Sequence, residues 1–159
     1  MTQLAKMTGK LSVEITGGTG VPNVRLCNAD GSWAGITFHG IPGGHEFTSF
    51  VLGLYNASSA GQKVNEEDRK RIEAIDEIFH ITILVSLSCT MCPELVTNAE
   101  RIATLNPNVR TDIYDLALFP EIKAKYNIMS VPCFFINDDR DMHFGKKSIS
   151  QLLDLIEKM

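Results

Sequence analysis

The chain has 159 residues, enough for one ordinary domain or two small units sharing a core. Hydrophobic residues make up 44% and charged residues 21%, the balance of a globular rather than a disordered protein. The net charge of −4 offers no broad basic face, which argues against nucleic acid as a partner, and no apolar run approaches the length that spans a bilayer. The first ten residues carry Lys6 and Lys10 with no apolar stretch behind them. They do not make a secretory signal, and a cytoplasmic setting is expected.

In chain order, Leu11 to Thr16 alternates apolar and polar residues and reads as a strand. Asn23 to Cys27 does the same and then meets the turn Asn28 to Gly31; Ile36 to His39 is a third short strand. A glycine-rich loop, Gly40 to Gly44, feeds a helix on which Phe47, Phe50, Val51 and Leu54 recur at helical spacing, predicting one inward apolar stripe. The small, polar stretch Asn56 to Gln62 ends that helix and divides the chain into 1–62 and 63–159.

The second half opens with a helix from Glu66 to Ile78, with Ile72 and Ile75 inward and Asp68 to Arg71 solvated. Its acidic start suits the helix dipole. Phe79 to Val85 is nearly all apolar or β-branched, as a parallel strand covered on both faces would be. A helix entered at Cys89 runs to about Leu105, with Leu95, Ala99 and Ile102 inward, and Asn106-Pro107-Asn108 ends it. Val109 to Tyr114 is a strand and Phe119 to Tyr126 a short helix. Val131 to Asn137 is a strand entered through proline; Met142 to Phe144 pairs with it across the turn Asn137 to Arg140. A last helix aligns Ile149, Leu152, Leu153 and Ile156. The order β-α-β-α-β-β-α, a parallel pair followed by an antiparallel hairpin and a covering helix, is that of the thioredoxin fold. The fold class expected is therefore α/β and thioredoxin-like. Its first half, 1–62, is a truncated thioredoxin-like half without a dithiol, fused to a complete unit at 63–159.

Four cysteines are too few for a disulfide scaffold at this size, and only Cys89 and Cys92 lie close together. A Cys-x-x-Cys at a strand-to-helix junction is a redox device. Unpaired N–H groups and the dipole at the helix start favour a thiolate on the first cysteine. The second, three positions on, can close onto it. Cys89 is accordingly the nucleophile, Cys92 the resolving thiol, and Pro93 sits where a missing N–H costs nothing. Zinc would ask for a second ligand pair. Cys27 and Cys133 stand alone, and His39, His45, His80 and His143 show no paired spacing. Haem attachment would need a histidine where Pro93 stands. No bound cofactor or metal is expected, the redox-active disulfide apart. Cys133 reads as a core thiol, with a reactive role near the dithiol as the alternative; Cys27 reads as a core thiol too.

The thioredoxin fold places a cis proline before its third strand, facing the dithiol. Val131-Pro132 holds that position. Its task would be to present the Val131 backbone to an extended peptide, against the plainer reading of a trans proline at a strand start.

The run Val85-Ser86-Leu87-Ser88-Cys89-Thr90-Met91-Cys92-Pro93 resembles the redox centre in the N-terminal domain of the flavoprotein component of alkyl hydroperoxide reductase. Leu105-Asn106-Pro107, Ile128-Met129-Ser130-Val131-Pro132 and Gly44-His45-Glu46-Phe47-Thr48-Ser49 fit the same family in the same order. The resemblance implies two fused thioredoxin-like units, only the second with a dithiol. These relay electrons from a flavin-dependent disulfide reductase to a peroxiredoxin or another protein disulfide. It also implies an acid from the first half near the dithiol, which would be Glu46. Many thioredoxins carry that acid six positions before the nucleophile, but Ile83 stands there and no acid occurs from Phe79 to Cys92. A proton acceptor from elsewhere is then useful; His45 is a second candidate, and a plain helix-start charge is the simplest reading of Glu46. No Gly-x-Gly-x-x-Gly fingerprint for a dinucleotide occurs, so the chain resembles a free-standing or excised relay domain. Two other functions compete: a glutaredoxin-like or general protein disulfide oxidoreductase, and a non-catalytic module that binds peptides in the proline-flanked groove.

Overall fold

The computed structural model describes residues 1–137 and 141–159. Among these the order is α1 (Thr2–Met7), β1 (Asn23–Cys27), β2 (Trp33–His39), α2 (Glu46–Ser58), α3 (Glu66–Glu73), β3 (Phe79–Val85), α4 (Cys92–Leu105), β4 (Val109–Asp115), α5 (Pro120–Lys125), β5 (Cys133–Ile136), β6 (His143–Phe144) and α6 (Ile149–Ile156). The six strands form one sheet in the order β1-β2-β4-β3-β5-β6. β4, β3, β5 and β6 are the parallel pair and antiparallel hairpin expected of the thioredoxin fold. The β1–β2 hairpin extends this sheet because β2 runs parallel to β4, with Ile36 opposite Thr111 and His39 opposite Tyr114. The turn expected between β5 and β6 lies at 138–140, outside the described residues.

β3 is central; its Phe79, Ile81, Ile83 and Val85 face is wholly apolar, while the opposite face carries His80, Thr82 and Leu84. Ile81, Ile83 and Val85 join the larger core with Leu95, Ala99 and Ile102 of α4 and Leu152, Leu153 and Ile156 of α6. Leu84 points the other way, into a smaller cluster with Leu116, Ile128 and Cys133. α6 begins with a capping box: Ser148 accepts from the Gln151 N–H while the Gln151 side chain accepts from the Ser148 N–H.

Five expectations are corrected. Leu11 to Thr16 is largely exposed and belongs to no strand; alternation alone does not make a strand where no sheet edge receives it. The short helix α1 had no apolar period to announce it. On α2 the inward face is Glu46, Ser49, Phe50, Gly53 and Asn56, and Phe47 and Val51 are exposed. The reason is close packing of α2 on α4, which demands small residues: a Cβ at Gly53 would lie 2.8 Å from Leu26 and 3.1 Å from a Glu100 oxygen. α3 stops at Glu73, where the Asn106 amide takes the carbonyls of Ile72 and Ile75, and Ile78 is exposed. Its Asp68, expected in solvent, is buried, and its carboxylate accepts from Asn65 Nδ2 and Ser150 Oγ. Cys27 is exposed rather than in the core, because it falls on the outward phase of β1.

Candidate active site

β3 delivers the chain to the carboxyl edge of the sheet, and residues 86–91 turn it into α4. Within that turn the Cys89 N–H donates to the Ser86 carbonyl at 2.9 Å. Cys89 and Cys92 are joined as a disulfide with their Cα atoms 5.5 Å apart, as the three-residue spacing at a helix start allows. The Cys92 N–H points at Cys89 Sγ, 3.1 Å away. It is one of the unpaired donors of the first helical turn, and it would stabilise a thiolate there. The two sulfurs differ in access. Cys92 is fully buried, whereas Cys89 is half-buried with Thr90 and Met91 exposed beside it. An incoming partner therefore meets Cys89.

The Val131-Pro132 bond is cis, and the Val131 carbonyl oxygen lies 3.8 Å from Cys89 Sγ. Four of the five residues singled out from the sequence, Cys89, Cys92, Val131 and Pro132, thus meet at one place. Cys133, next in line, turns into the core beneath it, where burial pushes its thiol up to about 11.

Glu46 sits on the first turn of α2 and is 1% exposed. Its Oε2 accepts from Ser49 Oγ at 2.7 Å and its Oε1 has no partner. Burial pushes the carboxyl up to about 7, against the opposing effect of the Ser49 hydroxyl. Its hydrogen bond goes to Ser49 rather than to a sulfur. It shares a cavity of about 10 Å³ with Val85 and Leu87, the latter two residues ahead of Cys89. The same junction is stitched through backbone: the His45 N–H donates to the Leu87 carbonyl at 2.9 Å. His45 itself is exposed.

A second carboxyl lies nearby that sequence reasoning missed. Glu100, two turns along α4 from Cys92, is fully buried with neither oxygen hydrogen-bonded. Burial, with the charge of Glu46 adding to it, holds its pKa well above the ordinary range. The signal was present: positions 92, 96 and 100 share a helix face. Also unforeseen is Asp112 on β4, which bridges His39 Nε2 and His80 Nε2 at 2.5 Å each. This joins the three central strands on the face away from α4. Burial opposes its charge, but the two hydrogen bonds outweigh that and hold it at about 2. Among the described residues no group of three or more His, Cys, Asp or Glu side chains is arranged to hold a metal ion, and no helix is long and apolar enough to cross a membrane.

Residues 79–157 match the Thioredoxin domain family. The chain is 34% identical over 152 residues to a Bacillus subtilis protein named NADH dehydrogenase, covering 95% of this chain and 29% of that one. It is 31% identical over 153 residues to the F component of alkyl hydroperoxide reductase from Staphylococcus aureus, covering 96% and 29%. It thus spans under a third of the length of these relatives. Among solved structures, the NTD_N/C domain of alkyl hydroperoxide reductase AhpF from Enterococcus faecalis superposes with a TM-score of 0.81 at 41% identity, covering 86% of this chain and 65% of that one. With a thioredoxin-order sheet, a Cys-x-x-Cys disulfide at a helix start and a facing cis proline, residues 79–157 form a thioredoxin domain with a thiol–disulfide redox centre, and the chain as a whole is similar to the N-terminal domain of the alkyl hydroperoxide reductase AhpF.

Proposed function

We propose that this chain is an electron relay. It accepts two electrons from a flavin-dependent disulfide reductase and passes them to a protein disulfide, a peroxiredoxin being the leading class of acceptor, in the cytoplasm. Residues 1–62 act as a thioredoxin-like half without a dithiol and 63–159 as the redox unit. The observation that carries the reading is the asymmetric disulfide, one sulfur accessible and one buried, beneath the cis Val131-Pro132 peptide.

In the reduced chain the Cys89 thiolate attacks one sulfur of the partner disulfide, forming a mixed disulfide and releasing a partner thiolate. Cys92, deprotonated in turn, attacks Cys89 Sγ, releases the second partner thiolate and restores the Cys89–Cys92 disulfide. The two protons lost by the cysteines end on the two partner thiols. Val131 and Pro132 hold the partner's backbone beside Cys89. Glu46, with its carboxyl at about 7, is matched to taking and returning the Cys92 proton near neutral pH. The catalytic set is therefore Cys89, Cys92 and Glu46, with Val131 and Pro132 binding substrate.

The test is donor dependence. The oxidised chain is incubated anaerobically with a flavoprotein disulfide reductase and its pyridine nucleotide, or with glutathione, and thiol formation is followed. Reduction by the flavoprotein, with onward transfer to a peroxiredoxin, is expected. Reduction by glutathione alone would overturn this reading in favour of a glutaredoxin-like one. A disulfide that neither donor reduces would leave a binding module.

A further inference from the structure

Beside the dithiol lies a cavity of about 270 Å³ that the relay chemistry does not use. Its lining includes Ser86, Leu116, Lys123, Ile128, Met129 and Val131, so it opens directly beside the peptide that faces Cys89. Three features define what could enter. The first is free backbone. No backbone hydrogen bond among the described residues engages the N–H or C=O groups of Met129, Ser130 or Val131, and β5 starts only at Cys133. Such a segment is an open edge that an extended peptide can pair with. The second is a free cation. Lys123 is exposed, and its ammonium makes no ion pair or hydrogen bond among the described residues. Its neighbours Lys125 and Glu121 are exposed as well. Lys123 is held against the open edge by backbone, because the Ile128 N–H donates to its carbonyl at 3.0 Å. The third is an apolar lining, with Met129 85% exposed beside Leu116 and Ile128.

We infer that this cavity is a specificity subsite of the relay, and that Lys123 selects partner segments with an acidic side chain within two residues of the half-cystine that Cys89 attacks. The inference rests on the relay reading and names the class of partner for that site. A peptide paired with the open edge would set its half-cystine beside Val131, where Cys89 Sγ lies 3.8 Å from the carbonyl oxygen. Side chains alternate along an extended peptide, so a residue two positions away, about 7 Å along, returns to the same face over Met129 and the cavity. A carboxylate there meets an ammonium that has no partner among the described residues. A lysine there meets a like charge, and discrimination between partners comes from both effects. The aliphatic stem of Lys123 and the side chains of Met129 and Leu116 would cover the apolar part of the partner residue.

The experiment uses the fully reduced chain and synthetic peptide disulfides of sequence Gly-Ala-Cys-Ala-X-Gly, with X as Glu, Ala or Lys, and a matching set with X before the cysteine. Each rate is normalised to reduction of the same peptide by a small dithiol. The wild type should reduce the better-placed Glu peptide about three- to fivefold faster than its Lys counterpart at low ionic strength, as a partly exposed charge pair allows. Molar salt should remove the preference. Lys123→Met should flatten it and Lys123→Glu should invert it, each read as the Glu-to-Lys rate ratio within one protein. A Glu-to-Lys ratio that is the same in wild type and Lys123→Glu overturns the subsite. If the Ala peptide itself is not reduced by the wild type, the relay reading fails first, and this inference falls with it.

Discussion

The backbone N–H of His45 donates to the carbonyl of Leu87 at 2.9 Å, joining the start of α2 to the turn that carries Cys89. The contact is possible because Gly44 has a φ of +51°, and a Cβ there would overlap the Leu87 carbonyl. Gly44→Ala would force a strained backbone and push the active-site turn aside. The expected loss is roughly 2–4 kcal/mol, read as a lower denaturation midpoint, together with slower disulfide reduction. A variant as stable and as fast as wild type would show that the junction is slack.

Cys89→Ser should reduce turnover to the uncatalysed background. Cys92→Ser should accumulate a mixed disulfide with the acceptor, visible on a non-reducing gel, because the buried sulfur that would release it is gone. Turnover retained in Cys89→Ser would dismiss the assignment of the nucleophile.

Glu46 has its carboxyl raised to about 7 from an ordinary 4.5, so the folded chain keeps a proton that the unfolded chain gives up. Its contribution to stability therefore falls as pH rises from about 4.5 to about 7 and stays low above that. Glu46→Gln removes the charge. The variant should match wild type near pH 4 and exceed it at pH 8 by roughly 3 kcal/mol. The same substitution should alter the pH profile of Cys92 release. Urea titrations at pH 4, 6 and 8 decide the first part, and parallel stability curves for the two proteins would contradict it.

Asp112 has the opposite sign. Its folded-state value, about 2, lies below the ordinary 3.8. Its contribution is thus fully present above pH 4 and is lost as pH falls toward 2. Asp112→Asn should cost roughly 2 kcal/mol near neutral pH, with the gap to wild type closing in acid. Thermal melts at pH 7 and pH 2.5 are the measurement, and a gap of the same size at both would refute the assignment.

The two remaining cysteines should differ in their access to reagents. In the oxidised protein Cys27 is exposed and Cys133 is buried with its thiol at about 11. A thiol reagent at pH 8 should label Cys27 at once and Cys133 only after denaturation. Cys133→Ala should leave disulfide reduction intact; loss of activity there would restore the reactive reading of this residue.

The second half was legible because its signals are local and strong. β3 matches its expected span of Phe79–Val85, set by an unbroken apolar, β-branched run. Cys92 and Pro93 mark the start of α4. The Val131-Pro132 isomer followed from the fold once the dithiol fixed it. The first half was less legible, because tertiary packing overrode the hydrophobic period. α2 turns Glu46, Ser49 and Gly53 inward and leaves Phe47 and Val51 outside, since what faces it is α4 at short range rather than an open apolar groove. Glu100 was hidden for the same reason: a glutamate on a helix is ordinarily read as solvated. Asp112 with its two histidines joins residues 39, 80 and 112, a grouping that exists only once strand order is known.

The parallel pairing of β2 with β4 binds residues 36–39 to 111–114, and everything between must be synthesised before that seam can close. During translation the β1–β2 hairpin waits with a bare edge while α2, α3, β3 and α4 emerge, so folding of the early segment is timed by the late one. A chain cut between 62 and 63 would leave the second piece with β4 unpaired on one side and the α4 surface around Glu100 open to water. Such a piece is prone to associate with itself through that edge. Co-expression of 1–62 would give β4 back its natural neighbour, so recovered redox activity would report reunion of the two pieces in the cell.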